Sequence, residues 1–216
     1  MPTQARIYEN GLVHVPAYLG PGAQRALLAE IEEALAEAPL FRPAMPRTGK
    51  AFSVRMSNCG PLGWVSDRER GYRYQAAHPQ TGKSWPKIPA LVLKAWKDLA
   101  GYPCLPEACL INFYDAAARM GMHQDRDEAA LDAPVLSLSL GSSCVFRFGG
   151  TTRAGKTEVL ELASGDALLL QGAARLLYHG VTRLIPETSP LPDSDLLPAD
   201  SRINLTLRRV TRPVSC

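Results

Sequence analysis

The chain has no apolar run of the roughly 18 residues that a membrane-spanning helix needs. It also has no internal repeat, no low-complexity tract and no Cys-x-x-Cys pair, which argues against a repeat protein and against a zinc ribbon. Residues 1–11 lack the apolar core of a secretory signal, so we expect none. These absences favour a cytoplasmic protein that does not enter a membrane.

Cysteine, histidine and net charge are also low. The 216 residues include five cysteines and four histidines, and the formal net charge is only +3. An odd number of cysteines without close pairs is typical of reduced thiols rather than of a disulfide framework. The chain has the composition of a globular protein, and its length predicts a single domain over residues 1–216. Nothing in the sequence demands more than a monomer, so a monomer is expected.

Two segments with helical spacing precede a region of short strands. Residues 21–38 and 88–100 repeat apolar side chains at helical intervals. Runs separated by turn residues follow, and we expect strands at 109–114, 135–140, 144–148, 158–162, 167–171, 175–179 and 203–210. This order predicts an α+β fold: a double-stranded β-helix, or jelly roll, at about residues 105–210, backed by two N-terminal helices.

Positive charge and aromatic rings coincide at about residues 40–80. Between residues 42 and 73, seven lysines and arginines stand against two acids, and Trp64 and Tyr72 are among the aromatic residues. Cations offset phosphate charge and aromatic faces stack on bases, so we interpret the region as an irregular, partly ordered recognition lid. The alternative is a solvated loop with a few core aromatics. We expect His78 at the surface, His14 in a structural role, and the insert at 186–199 as an exposed loop.

The last predicted strand has one polar and one apolar face. Arg202, Asn204, Thr206 and Arg208 alternate with apolar residues, and Asn112 and Tyr114 do the same in an earlier strand. If the apolar faces pack on the helices, the polar faces line the interior of the jelly roll. Two arginines on one such face favour a shared anionic ligand, and a small dicarboxylate fits.

A candidate metal site lies at His123 and Asp125. Residues two apart in an extended strand point to the same side, so an imidazole and a carboxylate can face one centre. His179, at the end of an apolar run, is the candidate third ligand. Two histidines and one carboxylate suit a non-haem Fe(II) centre with open coordination positions. A His-x-Asp tripeptide alone also occurs by chance in surface loops.

Five motifs together resemble the AlkB group of Fe(II)/2-oxoglutarate dioxygenases, which reverse alkylation damage on nucleic-acid bases. The motifs are Met56-Ser-Asn-Cys-Gly-Pro-Leu-Gly-Trp64, Asn112-Phe-Tyr114, His123-Gln-Asp-Arg-Asp-Glu128, Tyr178-His-Gly180 and Arg202-x-Asn-x-Thr-x-Arg208. The resemblance runs from about residue 11 to residue 209. The Arg-x-Asn-x-Thr-x-Arg ending and the lid motif are more specific than the His-x-Asp motif, which many oxygenases share.

The resemblance implies a role for each matching residue. His123, Asp125 and His179 would bind Fe(II). The residues implied in 2-oxoglutarate binding are Arg202 and Tyr114 at the distal carboxylate, and Asn112, Asn204 and Arg208 near the metal-chelating end. The residues implied in substrate binding are Trp64, Tyr72 and His123 around the flipped base, Asp127 at the base edge, and Arg153 on the substrate strand.

The implied reaction is oxidative dealkylation of bases such as N1-methyladenine and N3-methylcytosine. The cofactor would be Fe(II), with 2-oxoglutarate and O2 as co-substrates, and the products would include formaldehyde, succinate and CO2. Both lesions are cationic, so a carboxylate such as Asp127 and stacking rings would favour them. Alkylated DNA, single-stranded and double-stranded, is the expected partner, with RNA as a second one.

Two other functions compete with this interpretation. A related oxygenase acting on a protein or a small molecule would keep the iron and 2-oxoglutarate residues but would not need a basic, aromatic lid. A non-catalytic jelly-roll binding module would make the presence of all three candidate iron ligands a coincidence. The lid at about residues 40–80 favours the nucleic-acid enzyme over both.

Overall fold

Two antiparallel sheets enclose a common interior in the computed structural model, which describes residues 4–213. The N-terminal elements are β1 (Arg6–Ile7), β2 (Val13–Val15), α1 (Pro21–Glu37), β3 (Arg55–Cys59), β4 (Gly63–Asp67), β5 (Gly71–Gln75) and α2 (Ala90–Leu99). The C-terminal elements are β6 (Ala108–Tyr114), β7 (Met120–His123), β8 (Val135–Gly141), β9 (Cys144–Phe148), β10 (Glu158–Leu162), β11 (Ala167–Leu170), β12 (His179–Leu184) and β13 (Arg202–Arg208).

Strand pairing gives the jelly roll that the sequence predicts. The larger sheet has the order β1-β2-β11-β8-β13-β6-β3, and the smaller has the order β10-β9-β12-β7. Along the chain from β6 to β13, strands are shared between the two sheets, four to each, and every pair is antiparallel. This is the double-sheet arrangement of a jelly roll.

The helices cover the outer face of the larger sheet. Leu27 and Ile31 of α1 and Val92 and Trp96 of α2 are buried in one apolar cluster with the outward-facing side chains of the sheet. The outward-facing members include Leu136, Leu138, Leu140, Ile203, Leu205 and Leu207. Because neighbouring residues on a strand point to opposite faces, the polar residues of β13 face the interior. The predicted helices and the predicted polar interior are both confirmed.

The segment predicted as an irregular lid is more regular than expected. β3 pairs with β6 and so extends the larger sheet. β4 and β5 form an antiparallel hairpin, residues 63–75, which we call the recognition hairpin. Asn58 ties this hairpin to β3, because its side chain exchanges two hydrogen bonds with the backbone of Trp64. The expectation of a partly ordered region was wrong, since alternation in β4 and β5 was masked by glycines and charged residues.

Three further expectations need correction. Residues 175–179 do not form a strand: a short 3₁₀ turn, Gly172–Ala174, precedes a loop, and the strand begins at His179. His78 is buried rather than exposed, with Nε2 bonded to the Pro39 carbonyl. The insert at 186–199 is partly packed, because Leu191 and Leu197 are buried against the helices' apolar cluster.

The expectation of reduced thiols holds for some of the cysteines, and the expectation for His14 is met. Cys59, Cys109 and Cys144 are buried free thiols, whereas Cys104 is disulfide-bonded, so the expectation of reduced thiols fails at that residue. His14 has the structural role expected of it, because it is buried and paired with Asp166 at 2.8 Å. No helix within residues 4–213 is long and apolar enough to cross a membrane.

Candidate metal centre and substrate pocket

The structure brings His123, Asp125 and His179 together. Their ligating atoms lie within 4.8 Å of one another. Nε2 of His123 is 3.6 Å from Oδ1 of Asp125, and Nε2 of His179 is 3.7 Å from Oδ2. These separations are too long for hydrogen bonds, yet short enough for one ion to contact all three residues. Two imidazoles and one carboxylate form the donor set that suits non-haem Fe(II).

Strand pairing explains how residues so far apart in sequence meet. β12 pairs with β7, and His179 lies directly opposite His123 in the register. Gly180 permits this approach, because a Cβ atom there would lie 2.5 Å from the Met120 carbonyl oxygen. Asp125 follows the end of β7, two residues beyond His123. The spacing of residues 123 and 125 is therefore visible in sequence, whereas the pairing with residue 179 is not.

Backbone carbonyls orient both imidazoles. Nδ1 of His123 lies 2.9 Å from the Gly121 carbonyl, and Nδ1 of His179 lies 3.0 Å from the Leu177 carbonyl. A carbonyl only accepts, so each Nδ1 donates and each Nε2 presents its lone pair to the centre. Burial, with a smaller effect of His123, lowers the pKa of His179 to about 4. His179 is therefore neutral at physiological pH, as a metal ligand must be.

The carboxylate of Asp125 is held by a buried network of charges. Nη2 of Arg208 donates to Oδ1 of Asp125 at 2.6 Å, and Nη1 of Arg175 donates to the Asp125 backbone carbonyl at 2.5 Å. Both arginines also pair with Glu128, at 3.0 Å from Arg175 and 3.2 Å from Arg208. Burial alone would raise the pKa of Asp125, but the positive charge of Arg208 opposes it, and the pKa lies below its ordinary value. Asp125 is thus ionised.

A third buried arginine, Arg202, has no acidic partner among the described residues. Arg202 is 1% exposed and donates only to neutral oxygens: the Ser142 and Leu162 carbonyls and the Ser139 hydroxyl. Its Nε has no partner, and none of the described carboxylates forms an ion pair with it. A buried charge is costly without a counter-ion, so the site fits a carboxylate ligand such as the distal end of 2-oxoglutarate.

Polar side chains connect this cation to the metal centre. Across the pairing of β13 with β6, Arg202 lies opposite Tyr114, and Asn204 lies opposite Asn112. Oδ1 of Asn112 and Nε of Arg208 are buried without partners. The interior therefore offers unpaired donors and an acceptor along the path from Arg202 to the three candidate metal ligands. The unpaired guanidinium donors of Arg202 and Arg208 match the acceptor oxygens of a chelating dicarboxylate.

One cavity of about 620 Å³ contains the whole constellation. Its lining includes the candidate metal ligands, the buried residues Arg202, Tyr114 and Trp64, and the exposed residues Tyr72, Asp127 and Arg153. Trp64 stacks on Tyr72 with ring centroids 5.5 Å apart, and its Nε1 donates to Asp127 at 2.9 Å. Trp64 is 8% exposed and Tyr72 is 50% exposed, so the stack extends from the interior to solvent.

Three residues of this site were not predicted from the sequence. Tyr74, Glu128 and Arg175 all belong to the network around Asp125. Arg175 could have been noticed as a charge inside an otherwise apolar run, and Tyr74 as the residue two positions after Tyr72 on the same strand face. Nothing in the sequence alone indicates that Glu128 points inward.

Comparison with known proteins shows similarity over nearly the whole chain. Residues 11–208 match the family model of the 2OG-Fe(II) oxygenase superfamily. The alpha-ketoglutarate-dependent dioxygenase AlkB homolog of Caulobacter vibrioides is 48% identical over 90% of this chain and 85% of its own length. Alpha-ketoglutarate-dependent dioxygenase AlkB of Escherichia coli is 39% identical over 87% of this chain and 85% of its own.

Similarity extends to a solved structure. The structure of OsALKBH1 superposes with a TM-score of 0.81 at 27% identity, covering 95% of this chain and all of that one. The predicted jelly roll with two N-terminal helices agrees with this match. The fold class predicted from the sequence is therefore confirmed.

Proposed function

The chain belongs to the AlkB family within the 2OG-Fe(II) oxygenase superfamily, and on this basis we propose that it removes alkyl groups from nucleic-acid bases by oxidation. Membership of the family makes it an Fe(II)-dependent dioxygenase that uses 2-oxoglutarate and O2 as co-substrates. N1-methyladenine and N3-methylcytosine are the proposed lesions. Single-stranded DNA is the first proposed substrate, with double-stranded DNA and RNA as further ones.

One observation carries the proposal: a stacking aromatic pair and a carboxylate lie at the opening of the cavity that contains the candidate metal ligands. An aromatic face can stack on any base, and a carboxylate favours a cationic lesion. An oxygenase acting on a small molecule would not need a stacking aromatic pair and a carboxylate at the opening of its cavity. The combination of Trp64, Tyr72 and Asp127 therefore supports a methylated base as substrate.

The roles of the interior residues are part of the proposal. His123, Asp125 and His179 bind Fe(II); Arg202 and Tyr114 hold the distal carboxylate of 2-oxoglutarate. Asn112, Asn204 and Arg208 lie toward its chelating end. The contact of each histidine Nδ1 with a backbone carbonyl and the unpaired Nε of Arg202 support these assignments.

Held by His123, Asp125 and His179, Fe(II) would supply, with 2-oxoglutarate and O2, the oxidation of the N-methyl group to N-hydroxymethyl, and 2-oxoglutarate would become succinate and CO2. The N-hydroxymethyl group then leaves as formaldehyde, and the ring nitrogen is restored. The protein's part is to position the metal ligands, the co-substrate and the base. Arg208 keeps Asp125 in place, Arg202 anchors the co-substrate, and Trp64 presents the base with its edge toward Asp127.

Two arginines at the opening of the cavity, Arg126 and Arg153, support contact with the substrate strand. Both are exposed and line the cavity. Cations at this position would offset phosphate charge next to the flipped base. We propose that Arg153 contacts the substrate strand.

We further propose that the enzyme acts as a monomer in the cytoplasm. A methylated base pairs poorly, so extruding it from a duplex costs less free energy than extruding an intact base.

The test is formaldehyde release from a single-stranded oligonucleotide that carries one N1-methyladenine. The reaction contains Fe(II), 2-oxoglutarate and ascorbate, and the control omits iron. We expect iron-dependent release that restores adenine. Succinate formation that the oligonucleotide does not stimulate, without release of formaldehyde, would contradict the proposed substrate and indicate an oxygenase for a protein or a small molecule.

A further inference from the structure

The recognition hairpin contacts the segment that follows the candidate metal ligand Asp125. Nε1 of Trp64, on β4, donates to Asp127 at 2.9 Å. The hydroxyl of Tyr74, on β5, donates to Oε1 of Glu128 in a short hydrogen bond. Each strand of the hairpin therefore holds one of two consecutive residues, and these lie two and three positions after Asp125.

The contact made by Tyr74 continues to the metal ligand itself. Nη1 of Arg208 donates both to the Tyr74 hydroxyl at 3.0 Å and to Glu128 at 3.2 Å. Nη2 of the same guanidinium donates to Oδ1 of Asp125 at 2.6 Å. The guanidinium of Arg208 is planar and its donors keep a fixed geometry, so it connects Tyr74 and Glu128 rigidly to Asp125. Three hydrogen bonds thus link the hairpin to the ligating carboxylate.

Burial makes this link sensitive to the loss of one group. The side chain of Glu128 is 0% exposed and that of Arg208 is 9% exposed. Burial, reinforced by Glu128 and opposed by Arg208, raises the pKa of Tyr74, so its hydroxyl stays protonated and continues to donate. A hydrogen bond between buried charged groups costs more to break than one at the surface.

We propose that Tyr74 is a positioning residue that connects the recognition hairpin to the carboxylate of Asp125 through Glu128 and Arg208, so that base binding and metal binding strengthen each other. The effect of Tyr74 on metal binding follows from the contacts alone. The effect on base binding rests on the proposed function, because it requires that Trp64 on the same hairpin contacts a methylated base. Coupling between two sites is reciprocal, so it can be measured from either one.

The first experiment measures metal binding without any nucleic acid. Mn(II) serves as the probe, and its dissociation constant is obtained by electron paramagnetic resonance titration of the full chain. Tyr74→Phe keeps the ring and removes only the hydroxyl. We expect the dissociation constant to rise about tenfold, the low end of the effect of removing a residue that supports a metal ligand. An unchanged constant would overturn the positioning role.

Tyr18→Phe is the matched control. The Tyr18 hydroxyl also donates to a carboxylate, that of Asp98 at 2.7 Å, but Asp98 belongs to α2 on the outer face of the larger sheet. This variant should bind Mn(II) like the original chain. If it weakened Mn(II) binding as much as Tyr74→Phe, the effect would be a general consequence of losing a phenol and the proposal would fail.

The second experiment measures the coupling. The Mn(II) dissociation constant is determined with and without a saturating N1-methyladenine oligonucleotide, under nitrogen so that no turnover occurs. In the original chain we expect the oligonucleotide to tighten Mn(II) binding about fivefold, within the usual range of allosteric coupling. In Tyr74→Phe, the ratio of the Mn(II) dissociation constant without oligonucleotide to that with oligonucleotide should fall to about one. A merely destabilised protein would melt earlier but would keep the ratio.

The two experiments separate the inference from the proposed function. If the oligonucleotide does not bind the original chain, the proposed substrate is wrong, and the Mn(II) titration without nucleic acid still decides the role of Tyr74. If the oligonucleotide binds but the ratio is the same in both chains, the coupling through Tyr74 is refuted. A reduced ratio in Tyr74→Phe together with an unchanged ratio in Tyr18→Phe would support it.

Discussion

At the scale of single residues, the three candidate metal ligands cannot replace one another. Each contributes one donor atom to a shared centre. His179→Ala should abolish formaldehyde release, because two ligands hold Fe(II) poorly. The check is formaldehyde release together with Mn(II) binding, which should weaken in parallel. Normal activity in this variant would remove His179 from the metal site.

Arg202 provides the second residue-scale prediction. Arg202→Ala should raise the 2-oxoglutarate concentration needed for half-maximal turnover by about 10- to 100-fold, the value of a lost charge-assisted hydrogen bond. Steady-state kinetics with varied 2-oxoglutarate measure this change. Arg209→Ala is the matched control, because Arg209 pairs with Glu107 outside the cavity. If both variants raise the required 2-oxoglutarate concentration equally, Arg202 is not the residue that anchors the carboxylate.

At the scale of elements, the aromatic face that the recognition hairpin presents should contribute most of its effect to base binding. Trp64→Ala should weaken binding of an N1-methyladenine oligonucleotide by about 5- to 150-fold, since stacking contributes about 1–3 kcal/mol per base. Uncoupled turnover of 2-oxoglutarate should change far less. Trp64→Phe retains a stacking face and loses the bond to Asp127, so it should keep most of the affinity. Equal binding by Trp64→Ala and the original chain would refute the role of the hairpin.

Buried hydrogen bonds to Asp166 fix β2 to the turn that precedes β11. Asp166 accepts from His14, from the Ala17 amide and from the Ala163 amide. Burial opposes ionisation, but these partners lower the pKa of Asp166 below its ordinary value. The resulting stabilisation is therefore fully present above about pH 4, and it is lost as the pH falls through the folded-state pKa.

Asp166→Asn should lower the free energy of unfolding at pH 7 by about 2 kcal/mol, because an amide nitrogen would then face a backbone donor. Urea denaturation at several pH values measures the difference between the two chains, which should shrink below about pH 4. Asp115→Asn, at an exposed carboxylate, is the control and should change little. A difference that stays constant with pH would show that Asp166 is not ionised in the folded protein.

At the scale of the whole molecule, a net charge of +3 is too small to attract nucleic acid by itself. Binding should depend on local cations at the cavity opening. Arg153→Ala should reduce the slope of the logarithm of affinity against the logarithm of salt concentration by about 0.7, as expected for one lost phosphate contact on a single strand. Lys97→Ala, on α2, should leave the slope unchanged. Equal slopes in all three chains would exclude Arg153 from the interface.

Local pattern determined much of this protein. The period of 3.6 residues in α1 and α2, the alternation in β13, and the spacing of His123 and Asp125 are all properties of neighbouring residues, so they can be predicted without knowing the fold. The motif resemblance then extended the prediction to the family, because the Arg-x-Asn-x-Thr-x-Arg ending is specific.

Only the tertiary structure decided which distant groups meet. The pairing of β12 with β7 sets His179 opposite His123, and the same folding buries Glu128 between Arg175 and Arg208. The burial of His78 also depends on a distant partner, the Pro39 carbonyl, which lies 39 residues earlier in the chain. Such contacts come from strand pairing and charge compensation across the interior, which leave no periodic signal in the sequence. Whether Tyr74 joins base binding to metal binding is therefore a question that only the folded chain could raise.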